Sequence, residues 1–337
     1  MSNIMILGAG GFGTALAVMA HKYGHTVTMW SPFEQEAALL SNSREHAKLL
    51  PGIAISPEIS ITTSLNAARS ADLAIIATPS FAVRETAKRL SGILPAGVPA
   101  GCVAKGIEAD TYKTLSVILE EELPKNPCVA ISGPSHAEEV ARGVPTTVVA
   151  ASRSREAAEF VQDTLMNERF RIYANDDVLG VELGGALKNV VALAAGVLDG
   201  LGGGDNAKAA LMTRGITEIA RLGVALGAKT ETFGGLSGIG DLIVTCSSQH
   251  SRNRRCGILV GKGIPAKEAV AQIGMTVEGY SCAKTACELA RKYRITMPIV
   301  TETYLVLYEG KPPEAGVRDL MDRPRRHESE TIWLLSR

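Results

Sequence analysis

Five groups of residues in this chain have the types and spacing to do chemistry. The first is Lys188. It lies within the apolar stretch Val181–Val197, VELGGALKNVVALAAGV, whose length predicts a helix of several turns. Its helical neighbours three and four residues away are Gly184, Gly185, Val191 and Ala192. No carboxylate on its own helix can pair with it. A cation there either snorkels to water or is buried for a purpose, such as general acid–base work. The second group is Lys105, which follows the apolar run 101–104. It falls at the carboxyl end of a predicted strand, where open α/β sheets bind ligands. A surface lysine would look the same. The third is Ser237-Gly238-Ile239-Gly240-Asp241. Its aspartate could orient Lys188 or a substrate hydroxyl, or could simply cap a helix. The fourth is Ser251-Arg252-Asn253-Arg254-Arg255. Ser251 can cap a helix there, Asn253 can donate through its amide, and arginine grips phosphate in a bidentate fashion. Basic charge in a first helical turn opposes the helix dipole, a cost that a bound anion would offset.

The fifth group is Gly8-Ala9-Gly10-Gly11-Phe12-Gly13. It follows the apolar run 4–7 and precedes a helical pattern over 14–22, and a second strand-like run, 26–30, comes next. In this strand–turn–helix–strand setting the GxGxxG spacing of Gly8, Gly10 and Gly13 predicts a dinucleotide site. Gly8 allows the turn, Gly10 lets backbone approach a pyrophosphate, and Gly13 lets helix and strand pack. No acid follows the second strand directly: the chain reads Trp30-Ser31-Pro32-Phe33-Glu34. No arginine is near either. The reading leans slightly to NADPH, with NAD open. Two further turns end strands. One is Thr78-Pro79-Ser80, and the other is Ser132-Gly133-Pro134-Ser135-His136-Ala137, whose backbone N–H groups suit an anion or a polar substrate. His136 has no evident acidic partner, so its role stays open.

The elements that must position these groups fall into two sets. Up to about residue 178 strand-like runs alternate with helical ones, with helices expected over 34–50 and 111–123. This predicts a mainly parallel, doubly wound sheet. Beyond it the pattern is helical, with helices expected over 181–198, 207–226, 252–262, 266–273, 276–293, 298–308 and 313–321. The expected architecture is a Rossmann-type α/β domain, 1–178, followed by an all-α domain, 179–337. The polar segment RPRRHESE (323–330) is expected to be a mobile tail.

The chain has 337 residues, 35 basic and 35 acidic. Two domains are the natural expectation at this length. Zero formal charge and no aromatics among the arginines argue against nucleic acid. The six cysteines form no CxxC pair, so no metal site is expected and reduced thiols are. The N-terminal run lacks a basic flank and is broken by glycines, unlike a signal peptide. No continuous apolar run has the length of a membrane span. A cytoplasmic protein is expected.

The ordered set of stretches resembles the bacterial-type NAD(P)-dependent glycerol-3-phosphate dehydrogenases. The stretches are GAGGFGTALA (8–17), AKGIE (104–108), ISGPSHAEEV (131–140), ELGGALKNVVALAAGVLDGL (182–201), LMTRGITEIARLG (211–223), GLSGIGDLIVTC (235–246), SRNRRCG (251–257), VEGY (277–280), MPI (297–299) and VLYEG (306–310). The resemblance implies that Lys188 is the proton donor and acceptor, with Asp241 beside it. It implies substrate contacts at Lys105, Gly133, Ser135, Asp241, Ser251, Arg252 and Asn253. It implies cofactor contacts at Gly11, Phe12, Pro32, Ala137, Thr276 and Glu278, with Lys105 and Arg252 touching both ligands. It further implies a homodimer that reduces dihydroxyacetone phosphate to sn-glycerol 3-phosphate for phospholipid synthesis. Two departures stand out: Ser31-Pro32 where a basic residue is common, and His136 where an aromatic is common. Two rival readings are a 2-hydroxyacid or ketopantoate-type reductase and a catalytically silent dinucleotide-binding sensor.

Overall fold

A computed structural model describes residues 1–325, 327 and 328. The first strands are short because apolar runs of about five residues alternate with glycine and proline punctuation. In chain order they are β1 (Asn3–Leu7), α1 (Gly11–Lys22), β2 (Thr26–Trp30), α2 (Glu34–Ser43), β3 (Glu45–His46), β4 (Leu50–Ala54), β5 (Ser60–Thr62), β6 (Leu73–Ile76), α3 (Val83–Leu90), β7 (Ala100–Cys102), α4 (Leu115–Glu122), β8 (Cys128–Ser132), α5 (Ala137–Arg142), β9 (Thr146–Ala151), α6 (Arg155–Leu165) and β10 (Phe170–Asn175). One eight-stranded sheet has the order β10-β9-β8-β7-β6-β1-β2-β5. From β5 to β8 the neighbours are parallel; β9 runs against β8 and carries β10 parallel to itself. The chain builds outward from β1 to β5, then crosses to β6 on the other side of β1. That reversal opens a crevice at the carboxyl ends of β1 and β6, where such sheets take ligands. The Rossmann-type sheet followed by helices is what the sequence predicts.

Two predicted helices are shorter than expected. The pattern over 34–50 stops at Ser43, where Arg44 turns left-handed (φ 50°), and the chain enters the antiparallel pair β3–β4. The span 111–123 becomes helical only at Leu115. Ahead of it Tyr112 has φ 58° and Ile107 bridges to Thr114.

The helical half starts at α7 (Val178–Gly200) and continues with α8 (Asp205–Ala225), α9 (Thr230–Phe233), α10 (Asp241–Ser247), α11 (Arg252–Gly261), α12 (Ala266–Ile273), α13 (Glu278–Lys292), α14 (Pro298–Tyr308) and α15 (Pro313–Met321). The axis of this half is α7, buried on nearly every side. Asp177 caps it by accepting from Gly180 N at 3.0 Å, and the same carboxylate takes Lys229 N and Thr232 Oγ1, pinning the α8–α9 region. By length and composition α7 is apolar enough to cross a membrane, but 83% of that window is buried inside the protein. It is a core helix. α11 crosses α7 backbone to backbone: a Cβ on Gly257 would meet Leu193 O at 2.0 Å, and one on Gly196 would meet Arg254 O at 2.0 Å. Only glycine permits this approach, which sets the start of α11 over the middle of α7.

Part of the expected tail is ordered against this half. Arg323, Arg325 and His327 line a cavity with α7, α8, α14 and α15, and Arg214 donates to the Glu328 carbonyl at 3.1 Å. Arg326, Ser329 and Glu330 lie outside the described residues.

Candidate active site

The glycine turn between β1 and α1 is shaped as a cradle. Gly8 has φ +124°, and a Cβ there would strike Ala77 at 2.7 Å; one on Gly13 would strike Gly8 O at 2.0 Å. These two glycines are required by the fold itself. Gly10 differs, because a Cβ there would meet nothing within 4 Å. The space above Gly10 is open at the amino end of α1, as a dinucleotide pyrophosphate requires. Gly11 is crowded from the other side, where Leu49 O lies 2.9 Å from its would-be Cβ. The next residue, Phe12, packs against the core. This cradle fits a dinucleotide.

Two exposed aromatics flank the crevice and were not anticipated. Phe33 follows β2 and is 66% exposed; Phe81 follows β6 and is 78% exposed. Each comes after a strand end and a Ser-Pro or Thr-Pro pair, in WSPF and TPSF. That repeated signal was legible in the sequence. Pro32, between Ser31 and Phe33, is exposed at the same edge.

Across the crevice three charged side chains meet. Lys188 on α7 donates to Asp241 Oδ1 at 2.6 Å and to Thr245 Oγ1 at 2.6 Å. Lys105, just past β7, donates to Asp241 Oδ2 at 2.6 Å and to the Gly133 carbonyl at 3.0 Å. Asp241 therefore bridges two lysines, one from each half of the molecule. It does not cap α10, whose first residue it is: both its carboxylate oxygens are turned to the lysines. The partner of Lys188, missing from its own helix, arrives from α10.

Burial sets the protonation of this cluster. Lys188 is 5% exposed. Burial pushes its ammonium down to about 8, the nearby Asp241 carboxylate opposes the shift, and Lys105 adds to it. Burial alone would raise the Asp241 carboxyl, but Lys105 and Lys188 outweigh it and hold the group below its ordinary range. The cluster thus contains a firm carboxylate and one lysine able to change charge near neutrality.

The loop after β8 supplies the floor. Gly133 has φ +143°, and its carbonyl accepts from both Lys105 and Ser135 Oγ, the latter at 2.9 Å. Ala137 opens α5 directly after it. His136 lies between them, with a buried Nε2 that has no hydrogen-bond partner among the described residues. Burial, then the charge on Lys188, lowers its pKa. It packs against His250 with ring centroids 5.8 Å apart.

The SRNRR segment divides. Ser251 caps α11 through Arg254 N at 3.2 Å. Arg252 is exposed at the start of the helix, within electrostatic reach of Glu278 and Glu138. Asn253 is buried and spans two helices: its amide donates to Asn189 Oδ1 at 2.9 Å and its carbonyl takes Gly279 N at 2.8 Å. Among the described residues Asn189 is the acceptor given for the Asn253 amide nitrogen. Arg254 does not join the site, because it pairs with Asp199 at 2.6 Å. Glu278 holds the turn after β6, accepting from Ser80 N at 3.0 Å and Ser80 Oγ at 2.6 Å. Thr276 lies two residues earlier, in the link from α12 to α13. The pair Gly184-Gly185 lets other parts of the protein come close to α7. Protein fills both places: their would-be Cβ atoms fall 2.7 Å from Ser237 O and 2.6 Å from Ser132 Oγ.

A glycine cradle facing a buried, charge-shifted lysine is the apparatus of a nicotinamide-dependent dehydrogenase, and comparison with known proteins narrows it. The family model described as NAD-dependent glycerol-3-phosphate dehydrogenase N-terminus matches residues 3–158, and the corresponding C-terminus model matches 177–318. This chain belongs to the NAD-dependent glycerol-3-phosphate dehydrogenase family. It is 53% identical to the glycerol-3-phosphate dehydrogenase [NAD(P)+] of Moorella thermoacetica, over 98% of each chain. With that of Desulfitobacterium hafniense it shares 48% identity over 100% of this chain and 96% of the relative. A crystal structure of the family's member from Coxiella burnetii superposes with a TM-score of 0.92 at 37% identity, covering 96% of this chain and 99% of that one. A ketopantoate reductase from Ralstonia eutropha shares the fold at a TM-score of 0.61 and 14% identity.

Proposed function

We propose that this protein catalyses reversible hydride transfer between NAD(P)H and dihydroxyacetone phosphate, forming sn-glycerol 3-phosphate. The observation that carries this reading is the Lys105–Asp241–Lys188 bridge, set across the crevice from the open space above Gly10 in a chain of this family. When bound, the nicotinamide supplies or accepts the hydride. Gly8, Gly10, Gly11, Phe12 and Gly13 would hold its dinucleotide, with Pro32, Lys105, Ala137, Arg252, Thr276 and Glu278 around it and Phe33 and Phe81 at the crevice edge.

As the C2 oxygen of the substrate gains negative charge, ammonium Lys188 stabilises it and gives it a proton. In the reverse direction neutral Lys188 takes that proton. Asp241 fixes the Lys188 amine in one orientation, and its bridge to half-buried Lys105 offers a route for the proton to be restored. Arg252 and Asn253 would hold the phosphate, aided by Ser251, while Lys105, Gly133 and Ser135 confine the rest of the substrate.

The reading includes two working units, 1–178 for the dinucleotide and 179–337 for the substrate. It also includes a cytoplasmic homodimer that supplies glycerophospholipid synthesis; light scattering on the purified protein tests the dimer. The deciding assay follows loss of reduced nicotinamide absorbance with dihydroxyacetone phosphate. No consumption with either NADH or NADPH overturns the proposal, and consumption with ketopantoate in its place would favour the rival.

A further inference from the structure

The carboxyl end of β2 lacks an adjacent acid in sequence, yet the fold returns one to it. Glu36 stands in the first turn of α2, and its Oε2 accepts from Ser31 Oγ at 2.5 Å. Ser31 is fully buried, and its Oγ also accepts from Phe33 N at 3.1 Å. The carboxylate is thereby drawn back to the strand end. Its other oxygen lies 4.0 Å from His46 Nε2, while 31% of the Glu36 side chain remains exposed. His46 Nε2 is itself buried and has no hydrogen-bond partner among the described residues.

This cluster adjoins the glycine cradle. His46 ends β3, and its carbonyl accepts from Leu49 N at 3.1 Å. The Leu49 carbonyl in turn crowds Gly11. Glu36 and His46 therefore stand in the angle between the end of β2 and the glycine turn. In a dinucleotide fold that angle receives the adenosine ribose, and an acid there accepts from its 2′-hydroxyl. A 2′-phosphate needs a guanidinium or ammonium in the same place. Two bases follow in sequence: Arg44 is directed elsewhere, its Nη1 donating to the Ser56 and Ile59 carbonyls at 3.2 and 2.9 Å, and Lys48 is exposed in the turn between His46 and Leu49, within electrostatic reach of His46. The residues leaving β2 are Ser31, Pro32, Phe33 and Glu34, with no base among them.

We infer that Glu36, held by Ser31 and backed by His46, makes this protein select NADH over NADPH. This rests on the dehydrogenase reading and reverses the slight lean to NADPH taken from the sequence alone. A carboxylate has lone pairs enough to keep the Ser31 bond and accept from a ribose hydroxyl. A 2′-phosphate brings like charge to the same spot. Burial, and to a lesser degree the charge on Lys48, lowers the pKa of His46 against the pull of Glu36.

The test uses the full chain without substrate, titrated calorimetrically with ADP-ribose and with 2′-phospho-ADP-ribose. The wild type should bind ADP-ribose more tightly, by on the order of tenfold. Glu36→Gln keeps an acceptor for Ser31 and should bring the two affinities to within about threefold. Pro32→Arg, which leaves Glu36 in place, should improve binding of the phosphorylated compound alone. Equal or tighter binding of 2′-phospho-ADP-ribose by the wild type overturns the inference, as does an unchanged ratio in a folded Glu36→Gln variant. Circular dichroism establishes that the variants are folded. Because no triose phosphate is present, a failed turnover assay leaves this result standing, and the reverse also holds.

Discussion

Lys188 sits where burial and a bound carboxylate act in opposite directions, and burial wins by enough to bring its pKa to about 8. In the proposed mechanism its protonated form serves reduction and its neutral form serves oxidation. The rate of ketone reduction should therefore fall as pH rises through about 8, and the rate of alcohol oxidation should rise through the same interval. Steady-state rates in both directions across that range check this; parallel profiles would refute it. Lys188→Ala should lower kcat by roughly a hundredfold to ten-thousandfold, with cofactor affinity little changed. Full turnover in that variant would remove the lysine from the mechanism and leave the family assignment intact.

Elements decide whether a glycine serves folding or binding. Gly10→Ala and Gly13→Ala make the same chemical change three residues apart. At Gly13 the new methyl meets the Gly8 carbonyl, so β1 and α1 must separate; a loss of about 3 kcal/mol or more is expected, read as a lowered Tm. At Gly10 there is room, so Tm should hold while ADP-ribose affinity falls by about tenfold or more. Equal effects on both readouts at the two positions would show that the turn is only structural.

A second element, α14, is capped by Glu218, whose carboxylate takes Ile299 N at 3.0 Å and Val300 N at 3.4 Å. Burial raises this carboxyl to about 7 despite those bonds, from an ordinary 4.5. Between those values the folded chain holds more protons than the unfolded one. The stability tied to this group is therefore present at low pH and lost as pH rises through the window. Glu218→Gln should flatten that decline, giving a variant at least as stable as wild type at pH 8 and no more stable at pH 5, by thermal melts. An identical pH slope in both proteins would refute this.

For the whole molecule, the notable fact is that carboxylates of the helical half hold groups of the sheet half. Asp241 takes Lys105, Glu278 takes the Ser80 turn, and Glu182 on α7 accepts from Ser116 N at 2.7 Å at the start of α4. The proposed catalytic bridge is thus also one of the contacts that join the two halves. Asp241→Asn would leave two lysines facing each other across a neutral amide. Removing one partner of a buried ionic set costs about 3–5 kcal/mol. Without the carboxylate that opposes it, burial should lower the Lys188 pKa further, so the folded variant holds fewer protons than the unfolded chain; it should melt lower at pH 7, recover partly towards pH 9, and lose at least about a hundredfold in kcat. A Tm unchanged at both pH values would show that the bridge does not dock the halves.

What the sequence determined by itself is whatever is local in the chain. The glycine turn, the alternation of strand and helix, and the change to helical periodicity near residue 178 each arise from neighbours a few residues apart. Ser251 as a cap and Lys188 as an oddity on an apolar helix were legible for the same reason. The misread span 34–50 shows the limit, because its apolar spacing suits a helix until Arg44 adopts a left-handed turn. Only the tertiary structure decided the partners. Asp241 is 53 residues from Lys188 and 136 from Lys105, Glu278 is 198 from Ser80, and Asn253 is 64 from Asn189. It also turned Arg254 away to Asp199 and brought Glu36 back to the end of β2. Charge shifts and ion pairs depend on burial and distance in space, and no periodicity along the chain encodes either.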